Sequence, residues 1–395
     1  MFFPAGSNPN TNLTRQDNFM ARVIVRKAEY NYNQLKPIFF DMMDTLAFDK
    51  IKPGSLVLIK PNMLSAATPA DAVLTHPLVI KAAVEYVLEK GARPQVSDSP
   101  AIGSFERIVK VNGMKEALAG LNVDVVPFQQ TRPADIGKPY GKIDIAGDAL
   151  DADVIINLPK LKTHSQMLLT LAVKNMFGCI VGFQKSQWHM RAGVDSMAFA
   201  RLLVAIHQAV KPSVSILDGI MALEGEGPGK GGKPRHIGVL MGSCDSFALD
   251  TAVCRMLGID YKSVPVLKIA AGINLLGTCE VEGDLPAVFD FELPQTGRLI
   301  FGPRFMHNFM RRHSMPLPVC DDHLCKLCNQ CWTICPAQAI KPLESGIEFD
   351  YKKCIRCYCC IEVCPHAALH SRETIGGKII RKIIDRGHHP QLPHK

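Results

Sequence analysis

No uninterrupted apolar run approaches the roughly 18 residues that a membrane-spanning helix needs, so the sequence offers no transmembrane segment. The opening stretch MFFPAGSNPNTNLTRQDNFMARVIV lacks the apolar core of a secretory signal, and Pro4, Pro9 and several Asn interrupt it. One-sided charge is missing too. Lys and Arg number 45 against 37 Asp and Glu, a net of +8 that is too diffuse over 395 residues to mark a nucleic-acid or lipid surface. Nucleotide fingerprints are also absent: no G-x-G-x-x-G follows a first strand. Gly227-x4-Gly232-Lys233 imitates a phosphate-binding loop, but Pro234 stands where Ser or Thr would hold Mg²⁺. It also leads into the strand-like run Ile237–Met241 rather than a helix, so the chain does not read as an ATPase.

What is present is ordinary globular composition, 47% hydrophobic and 21% charged, which supports a sizeable core and excludes wholesale disorder. The length corresponds to two or three domains at roughly 150 residues each. Cysteine is the exception. Of 14, ten fall between Cys320 and Cys364, and Cys179, Cys244, Cys254 and Cys279 are scattered. A secreted disulfide scaffold is short and cysteine-dense throughout, so this distribution indicates a reduced cytoplasmic protein with a local metal site.

The cysteines form one pattern written twice. Cys325-x2-Cys328-x2-Cys331-x3-Cys335-Pro336 is followed by Cys354-x2-Cys357-x2-Cys360-x3-Cys364-Pro365. Three thiolates on a tight loop grip three irons of one cube, and the fourth reaches across to the other cube. Cys325, Cys328, Cys331 and Cys364 are therefore assigned to one [4Fe–4S] cluster, and Cys354, Cys357, Cys360 and Cys335 to a second. Two zinc sites are the alternative, but zinc needs four ligands and has no use for this eightfold array. The pattern resembles bacterial two-cluster ferredoxins over Leu317–His370, which implies transfer of single electrons. Cys320 and Cys359 fall outside the ligand register and read as reactive thiols, as ligands to an altered cluster or as small apolar residues.

Upstream, strand-like runs alternate with helical segments. The strands are Arg22–Arg26, Ser55–Lys60, Pro94–Asp98, Asp124–Pro127, Val154–Leu158, Val214–Asp218 and Ile237–Met241. Helices are expected at His76–Lys90, with Thr75 as N-cap, and at Phe105–Leu118 and Asp195–Val210. Continuous Val/Ile/Leu runs separated by helices give an α/β fold with a mainly parallel sheet covered by helices, followed by a small α+β two-cluster ferredoxin-like domain. The boundaries read as 21–296 for the α/β domain, 297–316 for a linker, 317–370 for the cluster domain and 371–395 for a tail. Phe301–Arg312 carries an apolar helical face, the tail an isoleucine stripe and the terminal His388, His389 and His394.

In open α/β sheets ligands bind outside the carboxyl ends of the strands. Lys60 and Asn62, Asp98, Lys160, Lys162 and His164 follow three such ends or adjoin them, and Asp218 closes a fourth. Lys160-Leu-Lys162-Thr-His164 puts two ammonium groups and an imidazole in five residues, a set suited to anion binding and proton transfer. These three are the candidate catalytic groups. Lys60, Asn62, Asp98, Lys174, Asn175, Gly225 and Gly227 are the candidate ligand-binding residues, the glycines either admitting a ligand close to the backbone or making a flexible turn. Trp188-His189 either lines the crevice or packs on the surface.

Together LVLIKPN (Leu56–Asn62), THP (Thr75–Pro77), SDSP (Ser97–Pro100), LPKLKTH (Leu158–His164), VKNMFG (Val173–Gly178), LDGI with the following glycine loop (Leu217–Pro228) and FALDTAVCRMLG (Phe247–Gly258) resemble the family catalogued as domain of unknown function 362. The resemblance runs over Arg22–Gly283, and members often carry a C-terminal ferredoxin module. It implies no particular reaction. The expected function is single-electron relay between a donor or acceptor protein and a small anionic ligand in the crevice. A non-catalytic carrier or docking subunit is the alternative. A nucleic-acid-binding sensor has no supporting helix pattern.

Overall fold

The computed structural model describes residues 20–294 and 313–376, apart from 102, 183, 193 and 194. The expected helical face Phe301–Arg312, the isoleucine stripe and the terminal histidines lie outside the described residues. Twelve strands belong to the first lobe: β1 (Ala21–Lys27), β2 (Leu56–Pro61), β3 (Arg93–Val96), β4 (Asp124–Val125), β5 (Thr131–Asp135), β6 (Lys142–Ala146), β7 (Val154–Leu158), β8 (Lys160–His164), β9 (Leu168–Thr170), β10 (Val214–Gly225), β11 (Gly232–Ser243) and β12 (Cys279–Glu282). The main sheet has the order β12-β1-β11-β10-β7-β2-β3-β4, with β8 and β9 branching from β10, while β5 and β6 form a separate hairpin. Its pairs are parallel except where β11 lies between β1 and β10 and where β9 turns back on β8.

Strand periodicity builds two cores. On β2, Leu58 faces one core and Val57 and Ile59 the other; on β7, Ile155 opposes Val154, Ile156 and Leu158. A strand whose neighbours cover both faces is apolar throughout, which is why β7 reads VIINL and is buried at every position. Helices Tyr32–Ala47 and Pro77–Glu89 cover one face. Helices Ser196–Val210, Ser246–Met256 and Pro265–Gly272 cover the other. Among the described residues no helix is long and apolar enough to cross a membrane.

The helix boundaries shift from expectation for local reasons. His76, not Thr75, caps Pro77–Glu89 through Nδ1, which accepts from Leu78 N at 3.2 Å. Thr75 is taken instead by tertiary bonds, donating to Leu158 O and accepting from Asn62 N. The segment Phe105–Leu118 splits into Phe105–Val111 and Met114–Ala117, because Gly113 turns the chain at φ +77°. Asp195 is the cap of Ser196–Val210 rather than its first residue, accepting from Met197 N and Ala198 N.

His207 on that helix is buried against Phe247, with neither ring nitrogen bonded among the described residues. Burial pushes its pKa down to about 4. The folded protein therefore keeps this ring neutral where the unfolded chain protonates it, below about pH 6.5. Its contribution is intact above that pH and is lost as pH falls towards 4. His207→Leu is expected to remove about 1.4 kcal/mol per pH unit from the acid limb of stability in that window. Denaturant midpoints measured from pH 7.5 to 4.5 test this; parallel curves for the two proteins would refute it.

The second lobe repeats itself. β13 (Leu317–Cys320) pairs antiparallel with β16 (Leu369–Arg372), and β14 (Ile340–Leu343) with β15 (Gly346–Phe349). The short helices Gln330–Ile334 and Cys359–Val363 occupy matching places in the two halves. Leu327, Asn329 and Gln338 take positive φ, as do Arg356, Tyr358 and Ala367, their counterparts in the second half. Left-handed backbone at matching points curls each cysteine loop around a centre.

Candidate functional site

The strand ends of the first lobe converge as the crevice rule requires, but the expected residues divide into two groups. Lys60, leaving β2, pairs with Asp98, leaving β3, at 3.1 Å. Asp98 also accepts from Met63 N and Ser99 N. Gly178 lies against this pair so closely that a Cβ there would overlap Asp98 Oδ1 and Lys60 Nζ. Asn62 donates to Asn175 Oδ1 at 2.8 Å, and Asn175 donates to Asn157 Oδ1 at 2.8 Å. Asn62, Asp98, Lys174 and Asn175 all line one cavity of about 90 Å³, several times the space that one water needs.

Lys160, Lys162 and His164 do not line it. They sit on a strand, β8, fully buried beside β10, where a loop was expected. Lys160 Nζ pairs with Asp218 Oδ2 at 2.8 Å and donates to Tyr30 OH at 2.8 Å. Asp218 also accepts from Tyr30 OH and His76 N, and Tyr30 stacks on His76. Lys162 donates to Asn62 Oδ1 and Val73 O. Burial holds its pKa well below the usual lysine range, with Lys174 adding repulsion. His164 Nδ1 accepts from Gln166 N and Met167 N, which puts the ring proton on Nε2, 3.2 Å from Glu362 Oε1 of the second lobe. This strand orders the wall behind the cavity and braces the junction.

Gly225 and Gly227 lie outside the cavity as well. Gly225 N donates to Glu292 O, and Gly227 N to Thr163 Oγ1. The glycine loop carries the second lobe: at Gly229 a Cβ would collide with the carbonyl oxygen of Glu362. Its glycines thus serve close packing of one lobe on the other.

That packing completes the cavity. Thr170, Phe177, Lys185, Ser186 and His189 come from the first lobe; Ile334, Cys359, Glu362 and Val363 from the second. Burial pushes Lys185 down to about 8 and His189 down to about 3, Lys174 adding to the latter. Glu362 is pushed up to about 7 by burial, opposed by Lys174 and Lys162. Lys185 and His189 are four residues apart on helix Gln184–Ala192, hence on one face, and that spacing was the sequence signal for them.

The eight cysteines of the doubled pattern line two further cavities. One is walled by Cys325, Cys328, Cys331 and Cys364, with Cys320 beside them. The other is walled by Cys335, Cys354, Cys357 and Cys360, with Cys359 beside them. Four thiols around a void suit a cube of iron and sulfide. Among the described residues no three His, Cys, Asp or Glu side chains converge on a point fit for one metal ion. Of the scattered cysteines, Cys179 and Cys254 are buried, and burial pushes the Cys179 thiol up to about 12, which makes it inert.

An α/β lobe closed by a cysteine-loop module defines an iron–sulfur protein of the ferredoxin type, and residues 317–365 match the 4Fe-4S dicluster domain. Residues 57–255, half of the chain, match the domain of unknown function (DUF362), and the chain belongs to that family. A thylakoid-associated protein of Synechocystis sp. is 42% identical over 225 residues, 57% of this chain and 70% of that protein. Pyruvate synthase subunit PorD of Methanocaldococcus jannaschii is 36% identical over 53 residues, 13% of this chain and 62% of the subunit. Among solved structures, the lactate racemase apoprotein of Thermoanaerobacterium thermosaccharolyticum gives a TM-score of 0.39 at 13% identity, covering 60% of this chain and 56% of that one. A protein from Thermotoga maritima gives 0.37 at 14% identity, covering 80% and 86%.

Proposed function

We propose that this protein binds two [4Fe–4S] clusters and relays single electrons between a partner protein and a small ligand held between its lobes. The observation that carries the reading is Cys359. This residue lines both the ligand cavity and the void walled by Cys335, Cys354, Cys357 and Cys360. Clusters of this type, when bound, take up and release one electron at a time. Cys325, Cys328, Cys331 and Cys364 would hold one, and Cys354, Cys357, Cys360 and Cys335 the other. Phe177, Ile334 and Val363 keep the ligand from bulk water, and Lys174 and Lys185 supply positive charge. Lys160, Lys162 and His164 act from behind, fixing Asn62 and the lobe junction. In this reading 21–296 supplies the lysine-bearing wall of the ligand cavity, and 317–370 supplies the clusters and the rest of the cavity wall.

Anaerobically purified protein is expected to contain about eight irons per chain and, on reduction, to give the EPR spectrum of two interacting clusters. A zinc-loaded, EPR-silent protein would overturn the reading. The likeness to a pyruvate synthase subunit favours a second reading, in which the chain is a carrier within a larger assembly. Recovery of a stable partner enzyme, with electron transfer unchanged in Lys174→Met, would select it. The cytoplasm is the proposed compartment, in keeping with cysteines concentrated in a metal-ligand pattern rather than spread as a disulfide framework. The thylakoid-associated relative makes a membrane surface the alternative that cell fractionation decides.

A further inference from the structure

Charge around the ligand cavity does not balance. Five lysines are enclosed in it or behind its walls: Lys60, Lys160, Lys162, Lys174 and Lys185. Three enclosed carboxylates oppose them, Asp98, Asp218 and Glu362. Two pairs are complete, Lys60 with Asp98 and Lys160 with Asp218. Lys162 is held by an amide oxygen and a backbone carbonyl, and Lys185 by the carbonyl of Ser99. Lys174 reaches into the cavity with no hydrogen bond or ion pair among the described residues; Glu362 and Cys359 are its electrostatic neighbours. Lys174 is half-buried, and an ammonium facing a largely enclosed cavity is a ready partner for an anionic group.

A thiolate-bound cluster in the adjoining void would offset part of that charge from behind Cys359. Thr170 and His189, 3% and 7% exposed, also line the cavity, and Thr170 Oγ1 and His189 Nδ1 have no hydrogen-bond partner among the described residues. The His189 ring is neutral at ordinary pH, so it offers one donor and one acceptor. An unmet cation, hydroxyl and imidazole around one void describe a site for oxygen atoms bearing negative charge. Beside these polar groups the cavity has an apolar face, from Met63, Leu64, Phe177, Ile334 and Val363. A fully hydrated inorganic dianion gains nothing from such a surface, whereas a short carbon chain does.

We propose that the cavity binds a small organic carboxylate, its oxygens taken by Lys174, Thr170 and His189 and its carbon chain by Phe177, Ile334 and Val363. This names the ligand class for the relay described above and rests on that reading. Melting of the anaerobic holoprotein, titrated with acetate, butyrate, hexanoate and inorganic phosphate at matched ionic strength, tests it. A saturable rise in Tm is expected with at least one carboxylate and a weaker response to phosphate. Lys174→Met should weaken that carboxylate about tenfold or more, Thr170→Val by a smaller factor, and Lys174→Arg should restore part of the loss. No saturable rise with any carboxylate, tighter binding of phosphate than of every carboxylate, or unchanged affinity in Lys174→Met would overturn the proposal. The wild-type series decides even if a variant fails to fold. EPR of the same samples separates the two claims: intact reducible clusters without carboxylate binding remove the ligand class alone, and absent clusters remove the relay.

Discussion

The double variant Cys325→Ala/Cys364→Ala is expected to keep about four irons per chain, and Cys325→Ala/Cys335→Ala close to none. Both remove two thiols, one of them Cys325, so the contrast isolates which void the fourth cysteine of each run serves. Cys364 lines the void of Cys325, Cys328 and Cys331, whereas Cys335 lines that of Cys354, Cys357 and Cys360. Removing Cys325 and Cys364 strips two thiols from one void and leaves the other whole. Removing Cys325 and Cys335 takes one from each. The second outcome is severe because the module has little else to hold it. Among the described residues its hydrophobic cluster holds ten buried side chains, of which Cys331, Cys360 and Cys364 are themselves proposed ligands. A lobe this small depends on its metal for folding free energy. Iron content and the EPR spectrum check the result. Four irons in Cys325→Ala/Cys335→Ala, with none in Cys325→Ala/Cys364→Ala, would mean that each run binds its own cluster.

The doubled cysteine pattern was legible in the sequence because a cube gripped by one tight loop would force its thiolates to fixed local spacings, and its eight cysteines line two voids. The parallel strands were legible for a similar reason: burial on both faces writes a continuous apolar run such as VIINL. What could not be read locally was β8. Lys160-Leu-Lys-Thr-His looks like a reactive loop until Asp218, Tyr30, Asn62 and Glu362 arrive from distant parts of the chain and pair its side chains. β10 was cut short at Asp218 because its pairing with β11 is irregular between Gly219 and Met221, although the strand continues to Gly225. The cavity was half legible. Asn62, Asp98, Lys174 and Asn175 line it, and so does His189, which the sequence leaves between crevice and surface; Lys185 stands with it on a helix that reads as merely polar. Only the second lobe, docked over the glycine loop, turns that helix face into an enclosed wall.

Asp218→Asn is expected to destabilise the first lobe by about 3–5 kcal/mol, the range for breaking a buried ion pair from one side. Asp218 and Lys160 are essentially without solvent exposure, at 0% and 1% of their side chains. The carboxylate is the hub of the network: it receives Lys160 Nζ at 2.8 Å, Tyr30 OH at 2.7 Å and His76 N at 3.0 Å. An asparagine keeps the shape and one acceptor oxygen but turns the other towards a cation as a donor. Burial already lowers the Lys160 pKa, with Asp218 opposing it. Without the carboxylate this lysine gives up its proton or remains charged without a partner, and either state is less favourable. A fall in melting temperature on the order of 10 °C corresponds to that loss in a domain of this size. The compensating pair Lys160→Met/Asp218→Leu removes both charges from an enclosed place, so it should recover most of the stability. Cluster content should stay unchanged in both proteins, since neither residue lines a cysteine void. An Asp218→Asn protein within about 1 kcal/mol of the parent, the usual worth of an exposed pair, would show that Lys160 is not held as a cation in the folded lobe.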